Sequence, residues 1–373
     1  MRAPKSMRIR VVSSTFEHVD AAGIAEKTSS WRPIANRDIH PSKRLVDAFP
    51  RLNGLLTNEL ISAAFEFHER AAVRWKRLYA ILGRSALVCI FLVMIFFDYQ
   101  FVLVGPEKVS EFFRIMATVL AAIGLASQLT IVLCRIKERW LIERFAAERL
   151  RCLKFQAFVL AACSRNSEEL TSYITTFTKN GVARLDQELM GGRAALEQFS
   201  PSEARVVPHL PGNCECLDLV DEAFRAYDSM RLEVQAQHFD QHSHSSDRQA
   251  HVPALLSEAT FVLGGLLALA QIFASAWQGF GSNDTIPFES WSSFMTLLLF
   301  VSSAVLAVYQ RGAADAPDAE RYRHYAREIR AIRLRGEPRT AQEFVRIVED
   351  TEQIELRELF DFCRDGLRSS YIS

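Results

Sequence analysis

Two apolar runs, separated by a short polar loop, constrain this chain more than any other feature. Residues 85–104 read SALVCIFLVMIFFDYQFVLV and residues 113–134 read FRIMATVLAAIGLASQLTIVLC. Each is long enough as a helix to cross a hydrocarbon core of roughly 30 Å. Asp98 is the one charge in the first run. A carboxylate at the centre of a span costs about 2.5–3.5 kcal/mol, whereas each Leu, Ile, Phe or Val returns about 0.3–0.6. Thirteen such residues between Leu87 and Val104 outweigh it, and the aspartate sits toward one end. The run is expected to insert.

The flanks give a direction. A helical pattern over Leu52 to Gly83 (Leu55, Leu56, Leu60, Ile61, Phe65) leads into the first run and ends with Arg70, Arg74, Lys76, Arg77 and Arg84. Arg135, Lys137, Arg139, Arg144, Arg149, Arg151 and Lys154 follow the second run, while Gly105–Glu111 between the runs is short. A second, weaker pair lies at residues 255–275 and 291–309. Its loop, Ala276–Ser290, carries Asp284 and Glu289 and no Lys or Arg, and basic residues again crowd the outer flanks. Excess Lys and Arg mark the cytoplasmic side. The expected architecture is therefore all-α: a multi-pass protein of the cell inner membrane, two transmembrane helical hairpins (four spans), cytoplasmic amphipathic helices and both termini inside.

Composition alone conceals this, because 44 basic residues balance 44 acidic ones and 49% of residues are hydrophobic. Net neutrality gives no case for nucleic-acid binding. The seven cysteines form no framework, and the Cys214-x-Cys216 pair lacks a second ligand pair at metal spacing, so free cytosolic thiols are the simpler reading. No apolar core follows the basic start Met1–Lys5, so no cleavable signal peptide is expected. The chain divides into an irregular segment 1–51 with a short strand at Arg8–Val12; a first lead-in helix, hairpin and exit helix (52–163); and a helical linker (164–214). A second lead-in helix, hairpin and exit helix (215–340) and a C-terminal cytoplasmic helix (341–373) complete it. Within the linker, a helix from Glu168 to Lys179 is expected to stop at Asn180-Gly181, with another over Arg184–Phe199.

The two halves share a plan, and their exit helices read alike: Glu143-Arg-Phe-Ala-Ala-Glu-Arg-Leu-Arg151 and Glu320-Arg-Tyr-Arg-His-Tyr-Ala-Arg-Glu-Ile-Arg330. Duplication is favoured over coincidence among basic exit helices. Tyr227-x3-Arg231-x3-Gln235-x2-His238-Phe239 precedes the second hairpin and Ala326-Arg-Glu-Ile-Arg330 follows it. This arrangement resembles the bacterial SLATT family, two-transmembrane effector domains that associate with SMODS nucleotidyltransferases and SLOG sensors. The first hairpin with Ala147-Glu-Arg-Leu-Arg151 is similar, so the resemblance covers two tandem units, about 52–163 and 215–340. It implies a pore-forming or membrane-disrupting effector of antiviral defence, triggered by a cytoplasmic sensor or nucleotide-signalling partner.

Candidate functional residues follow from membrane chemistry. Asp98, Gln128, Glu258 and Gln271 are polar groups within spans, where such groups line an ion path or pair internally; Asp98 also sits close enough to an interface for its charge to be tolerated. Ala117 with Ala121, Ala122 with Ala126, Gly264 with Ala268, and Ser303 with Ala307 place small residues at the spacing that lets helices pack closely, within one chain or in a homo-oligomer. Arg321, Arg323, Arg327 and Arg330 are expected at lipid headgroups, or simply as topology determinants. His238, His242, His244 and His251, with Asp240 and Asp247, form a run that either holds zinc or, more simply, is a solvated juxtamembrane linker; no metal and no cofactor are assigned. No nucleophile elbow, phosphate loop or HExxH motif points to an enzyme. The expected function is a membrane effector that opens or perturbs the bilayer. A non-conducting scaffold for a soluble partner and a housekeeping channel are the alternatives.

Overall fold

The computed structural model describes residues 38–102, 107–164, 166–202, 217–278, 286–313 and 315–368, all helix or connecting turn, with no strand among them. The strand expected at Arg8–Val12 and the pair Cys214 and Cys216 lie outside the described residues, as do the side chains of Asp98 and Asp247. The helices are α1 (Lys43–Ala48), α2 (Glu59–Val102), α3 (Glu107–Leu133), α4 (Ile136–Gln156), α5 (Ser167–Leu189) and α6 (Arg193–Gln198). They continue as α7 (Leu217–Tyr227), α8 (Glu233–Gln278), α9 (Ile286–Ala313), α10 (Asp315–Arg333) and α11 (Ala341–Arg368).

Four helical stretches are long and apolar enough to span a membrane, within Pro50–Phe97, Glu111–Leu133, His251–Phe273 and Ser292–Tyr309. They expose large side chains along their length, among them Ile123, Leu125, Val132, Val262, Leu266 and Phe273. A water-soluble surface does not tolerate apolar patches of this extent. The lead-in helices are continuous with the spans. α2 runs 44 residues from the extramembrane core to the tip of the first hairpin, and α8 runs 46 residues, passing Pro253 without a break.

In each half the hairpin helices pack on one another and the exit helix folds back along its lead-in helix: α2, α3 and α4 in one, α8, α9 and α10 in the other. α9 also packs against α2, so the hairpins touch. Arg135 separates α3 from α4 in the left-handed region (φ 50°), a conformation that L residues adopt at some cost and that turns the chain where it leaves the span.

Several expectations change in the extramembrane part. Residues 164–202 are no linker: Leu170, Ile174, Leu185 and Leu196 are buried in the core. The helix begun at Ser167, capped by Asn166 accepting from the Glu169 N–H (2.9 Å), runs through Asn180-Gly181 to Leu189. Gly181 is a contact residue, because a Cβ there would stand 2.5 Å from Leu153 Cδ1. The chain breaks later, at Gly192 (φ 57°), so the helix expected from Arg184 to Phe199 is split between α5 and α6. The end of the N-terminal segment is ordered too, with Asp38 and Ile39 fully buried.

The exit helix α4, extended by a 3₁₀ stretch at Ala157–Ala162, is not amphipathic. Every residue from Leu150 to Ala162 is buried, because α2, α5 and α11 cover it from different sides. α11 is capped by Thr340, whose Oγ1 accepts from the Glu343 N–H (3.1 Å), while Glu343 Oε2 reaches back past the cap to accept from the Arg339 N–H (2.6 Å). Its buried stripe (Phe344, Val348, Glu352, Glu355, Leu359, Cys363) includes two carboxylates, and these carry the site described next.

Candidate functional site: a buried charge lock beneath the hairpins

The carboxylates Asp38, Glu148, Glu352 and Glu355 and the cations Arg144, Arg151, Lys154 and Arg231 meet in the extramembrane core. Arg231 is the centre and has no exposed surface. Its Nε and Nη2 donate to the two oxygens of Glu352 (3.0 and 3.1 Å), its Nη1 lies 3.5 Å from Asp38 Oδ2, and its Nη2 lies 3.6 Å from Glu355 Oε2. The guanidinium sits over the Phe155 ring, 4.6 Å from the centroid. Tyr227 Oη donates to the same Glu352 oxygen (3.0 Å). Such a planar, bidentate arrangement is one that arginine makes and lysine does not.

Arg151 extends the network. Its Nη1 donates to Glu148 (2.6 and 2.8 Å), its Nε lies 3.3 Å from Asp38 Oδ2, and its guanidinium stacks over Phe65, the α2 residue 5.1 Å away. Arg144 links Glu148 to Glu69 of α2 (3.0 Å to Glu69). Lys154 Nζ donates to the backbone carbonyls of Asp38 (3.1 Å) and Ile39 (2.8 Å), which pins the incoming chain. The lock therefore joins the segment before α1, both lead-in regions, the first exit helix and α11.

A π turn, Asp228–Leu232, connects α7 to α8 and contains Arg231. The extra residue changes the register of α8 relative to α7, and single π turns of this kind concentrate at functional positions. Burial sets the protonation of the members. Burial pushes Glu355 up to about 8 against the pull of Arg231, and burial brings Lys154 down to about 8. Burial also works against ionised Glu148, but Arg144 and Arg151 outweigh it and hold that carboxyl down at about 2. Glu355 Oε1 and Asp38 Oδ1 are buried without a hydrogen-bond partner among the described residues.

The residues singled out from sequence fall into three groups. Tyr227 and Arg231 of the lead-in motif converge on Glu352, and Gln235 and Phe239 are buried beside them. Gln271 and Gly264 lie on the internal seam of the second hairpin rather than on a lumen. Gln271 Nε2 donates to Thr296 Oγ1 (3.2 Å), and a Cβ at Gly264 would stand 3.3 Å from Leu299 Cβ. One heptad before Gly264 on α8, Ser257 exchanges hydrogen bonds with Ser303 (Ser303 Oγ to Ser257 O, 2.9 Å; Ser257 Oγ to Ser303 O, 3.1 Å). Glu258, next to Ser257, is exposed.

In the first hairpin the small-residue ridge differs from expectation. Ala121, Ala122 and Ala126 are exposed and Ala117 is half-buried; the close contact is made by Gly124 against Ala86 and Cys89, with Ser127 buried one turn further on. Alanine spacing alone does not distinguish the face toward α2 from the exposed face. Gln128 lies beside this contact, its Nε2 buried without a hydrogen-bond partner among the described residues.

Of the four arginines expected at headgroups, Arg323 and Arg327 are exposed. Arg321 turns inward to Asp365 of α11 (3.0 Å), and Arg330 pairs with Asp240 of α8. In the histidine run, the His238 and His242 rings lie 4.0 Å apart and His242 Nδ1 meets the His238 carbonyl (3.0 Å). Among the described residues no three His, Cys, Asp or Glu side chains converge as a metal site.

The charge lock itself escaped the sequence reading. Arg151 and Lys154 read there as topology flanks, whereas a legible signal was present in α11: Glu352 and Glu355 fall on its apolar stripe, where a solvated face would not place them. No protein-family model, no curated protein and no solved structure matches this chain.

Proposed function

We propose that the chain is a bacterial inner-membrane effector, a SLATT-like protein of a defence system, in which a cytoplasmic signal acts on the charge lock and changes how the two hairpins associate in the bilayer. The observation that carries this reading is the continuity of α2 and α8. Phe65, Glu69 and Arg231 sit in or against the lock, and each belongs to a helix, or to the π turn opening one, that runs on into a span without a break. A rotation or shift at the lock is thereby a rotation or shift of the span. A buried ion network suits such a switch, because it adds little net stability yet is costly to break by halves.

In this mechanism the hairpins of several copies associate laterally, with their exposed faces and Glu258 toward neighbours or water. Orientation follows the positive-inside rule, with both termini cytoplasmic. Full-length protein reconstituted in liposomes with a trapped dye is the test. Release of the dye, strengthened in Glu352→Gln and weakened in Gly264→Leu, is the expected result; liposomes that stay sealed under every condition would remove the conducting role.

One observation favours a second reading. Ser257 and Ser303, and Gln271 and Thr296, pair with one another inside the second hairpin, so these four groups line no polar path. That is the arrangement of a non-conducting scaffold which presents the extramembrane domain to a soluble partner. Sealed liposomes together with partner recruitment to the membrane would select it.

A further inference from the structure

Two grooves meet at Gln128 on the first hairpin. One, of about 390 Å³, lies where α3 ends and α4 begins, between Gln128, Ile131 and Val132 on the span side and Arg135, Lys137 and Arg193 on the extramembrane side. The other, of about 290 Å³, runs along the hairpin between α2 and α3 and is lined by apolar groups, including Val93, Met94, Ala121 and Leu125. Together they present a cationic opening at the level where the span ends and an apolar channel running from it toward the hairpin tip. The first alone falls in the range of about 300–1,000 Å³ typical of ligand clefts.

We propose that this pair of grooves is a binding site for one anionic glycerophospholipid, its phosphate at Arg135 and Lys137 and an acyl chain along Ala121. The amphipathic gradient matches that molecule and no water-soluble anion, since a free phosphate has no use for the second groove. Gln128 lines both grooves and stands at their junction. Glu138 also lines the groove, 3.8 Å from Arg135, and Arg193 is paired with Glu197 at 2.7 Å, so the headgroup position is set at Arg135 and Lys137. The small side chain of Ala121, unused in helix packing, keeps the acyl channel open. Leu367 of α11 closes the headgroup groove, so a bound lipid bridges the first hairpin and the C-terminal helix. Basic pockets at the cytoplasmic ends of spans hold anionic headgroups in this way.

The inference rests on α2 and α3 crossing a bilayer, which resistance of the full-length chain to carbonate extraction from membranes tests separately. The binding test is native mass spectrometry of the purified full chain in neutral detergent, titrated with phosphatidylglycerol or with phosphatidylcholine of the same acyl chains. One phosphatidylglycerol per chain, bound at least tenfold more tightly than phosphatidylcholine, is expected. Replacing Arg135 by Gly and Lys137 by Gln together should weaken it on the order of thirtyfold, and glycine suits the left-handed conformation at 135. Ala121→Phe, at an exposed position, should weaken both lipids by filling the acyl groove. Arg327→Gln, an exposed arginine on α10, should leave binding unchanged. Equal affinity for the two lipids, parental binding by both groove variants, or an equal loss in Arg327→Gln would each overturn the site. A chain that resists extraction but shows no lipid preference overturns the site alone and leaves the membrane reading intact.

Discussion

The exit helices α4 and α10 follow the apolar hairpins with similar sequences and meet opposite surroundings. In α4, Arg149, Arg151 and Lys154 are buried, and Arg151 and Lys154 lie within the charge lock. In α10, Arg323, Arg327 and Arg330 stand at the surface, and only Arg321 turns inward. The difference comes from what covers each helix. α11 packs more extensively on α4 than on α10, and α5 closes another side of α4, so the buried cations near its C-terminal end are matched within the core: Arg149 by Glu188, Arg151 by Asp38 and Glu148, and Lys154 by the carbonyls of Asp38 and Ile39. A basic exit helix is thus a topology signal in one half and a structural centre in the other. The same contrast holds for the seams: the second hairpin is closed by paired hydroxyl and amide groups, the first by Gly124 against Ala86 and Cys89.

The comparison is broken most severely at its centre. Arg231→Leu leaves Glu352 and Glu355 buried beside no guanidinium, and destabilisation of about 3–5 kcal/mol is expected. Thermal melting of the detergent-solubilised chain, followed by circular dichroism, measures it. The double variant Arg231→Leu with Glu352→Leu should recover much of the loss, because the unmatched charge then disappears. A melt for Arg231→Leu equal to the parent would show that the lock carries no strain when halved.

Overpacking the seams ranks next. A Cβ at Gly124 would stand 3.2 Å from Cys89 Cβ, so Gly124→Leu and Gly264→Leu should each cost about 1–3 kcal/mol by the same melt. Ala121→Leu, on the exposed face, should cost little. If Ala121→Leu proves as damaging as Gly124→Leu, the first seam has been assigned to the wrong face.

Protonation sharpens the contrast further. Glu355 keeps its proton up to about 8 when folded and near the ordinary 4.5 when unfolded. Its contribution to stability is full below 4.5 and is lost as pH climbs to about 8. Lys154, lowered to about 8 from 10.5, acts in the opposite sense, so stability is regained from about 8 to 10.5. His238, held neutral by burial, raises stability with pH only up to its ordinary 6.5. Burial raises Asp38 and Glu352 as well, so they act in the same sense as Glu355, which by itself should lower stability by up to about 1.4 kcal/mol per pH unit between pH 6.5 and 8. Melts across pH 6–10 should pass through a minimum near 8, and Glu355→Gln should flatten the falling limb. The smallest effect belongs to α10. Arg330→Ala removes a half-exposed pair with Asp240 and should change the melt by about 1 kcal/mol or less.

Much of the membrane part was legible in the residues themselves. The four apolar stretches, the lead-in helices and the matching plan of the halves follow from local hydropathy and helical period, which a neighbour in space does not alter. Gly264 could be read as a contact residue for the same reason. Ala121 could not, because a helix apolar enough for a bilayer has apolar residues on every side, and nothing in the run distinguishes the face toward α2 from the exposed face.

What the sequence determined by itself is therefore where this protein is helical and which helices are apolar enough for a membrane. Only the tertiary structure decided which charges are buried. Arg231 finds Asp38 across 193 positions of chain and Glu352 across 121. Hydropathy is a sum over neighbours in sequence, whereas the cost of a charge depends on which distant carboxylates share its dehydrated site.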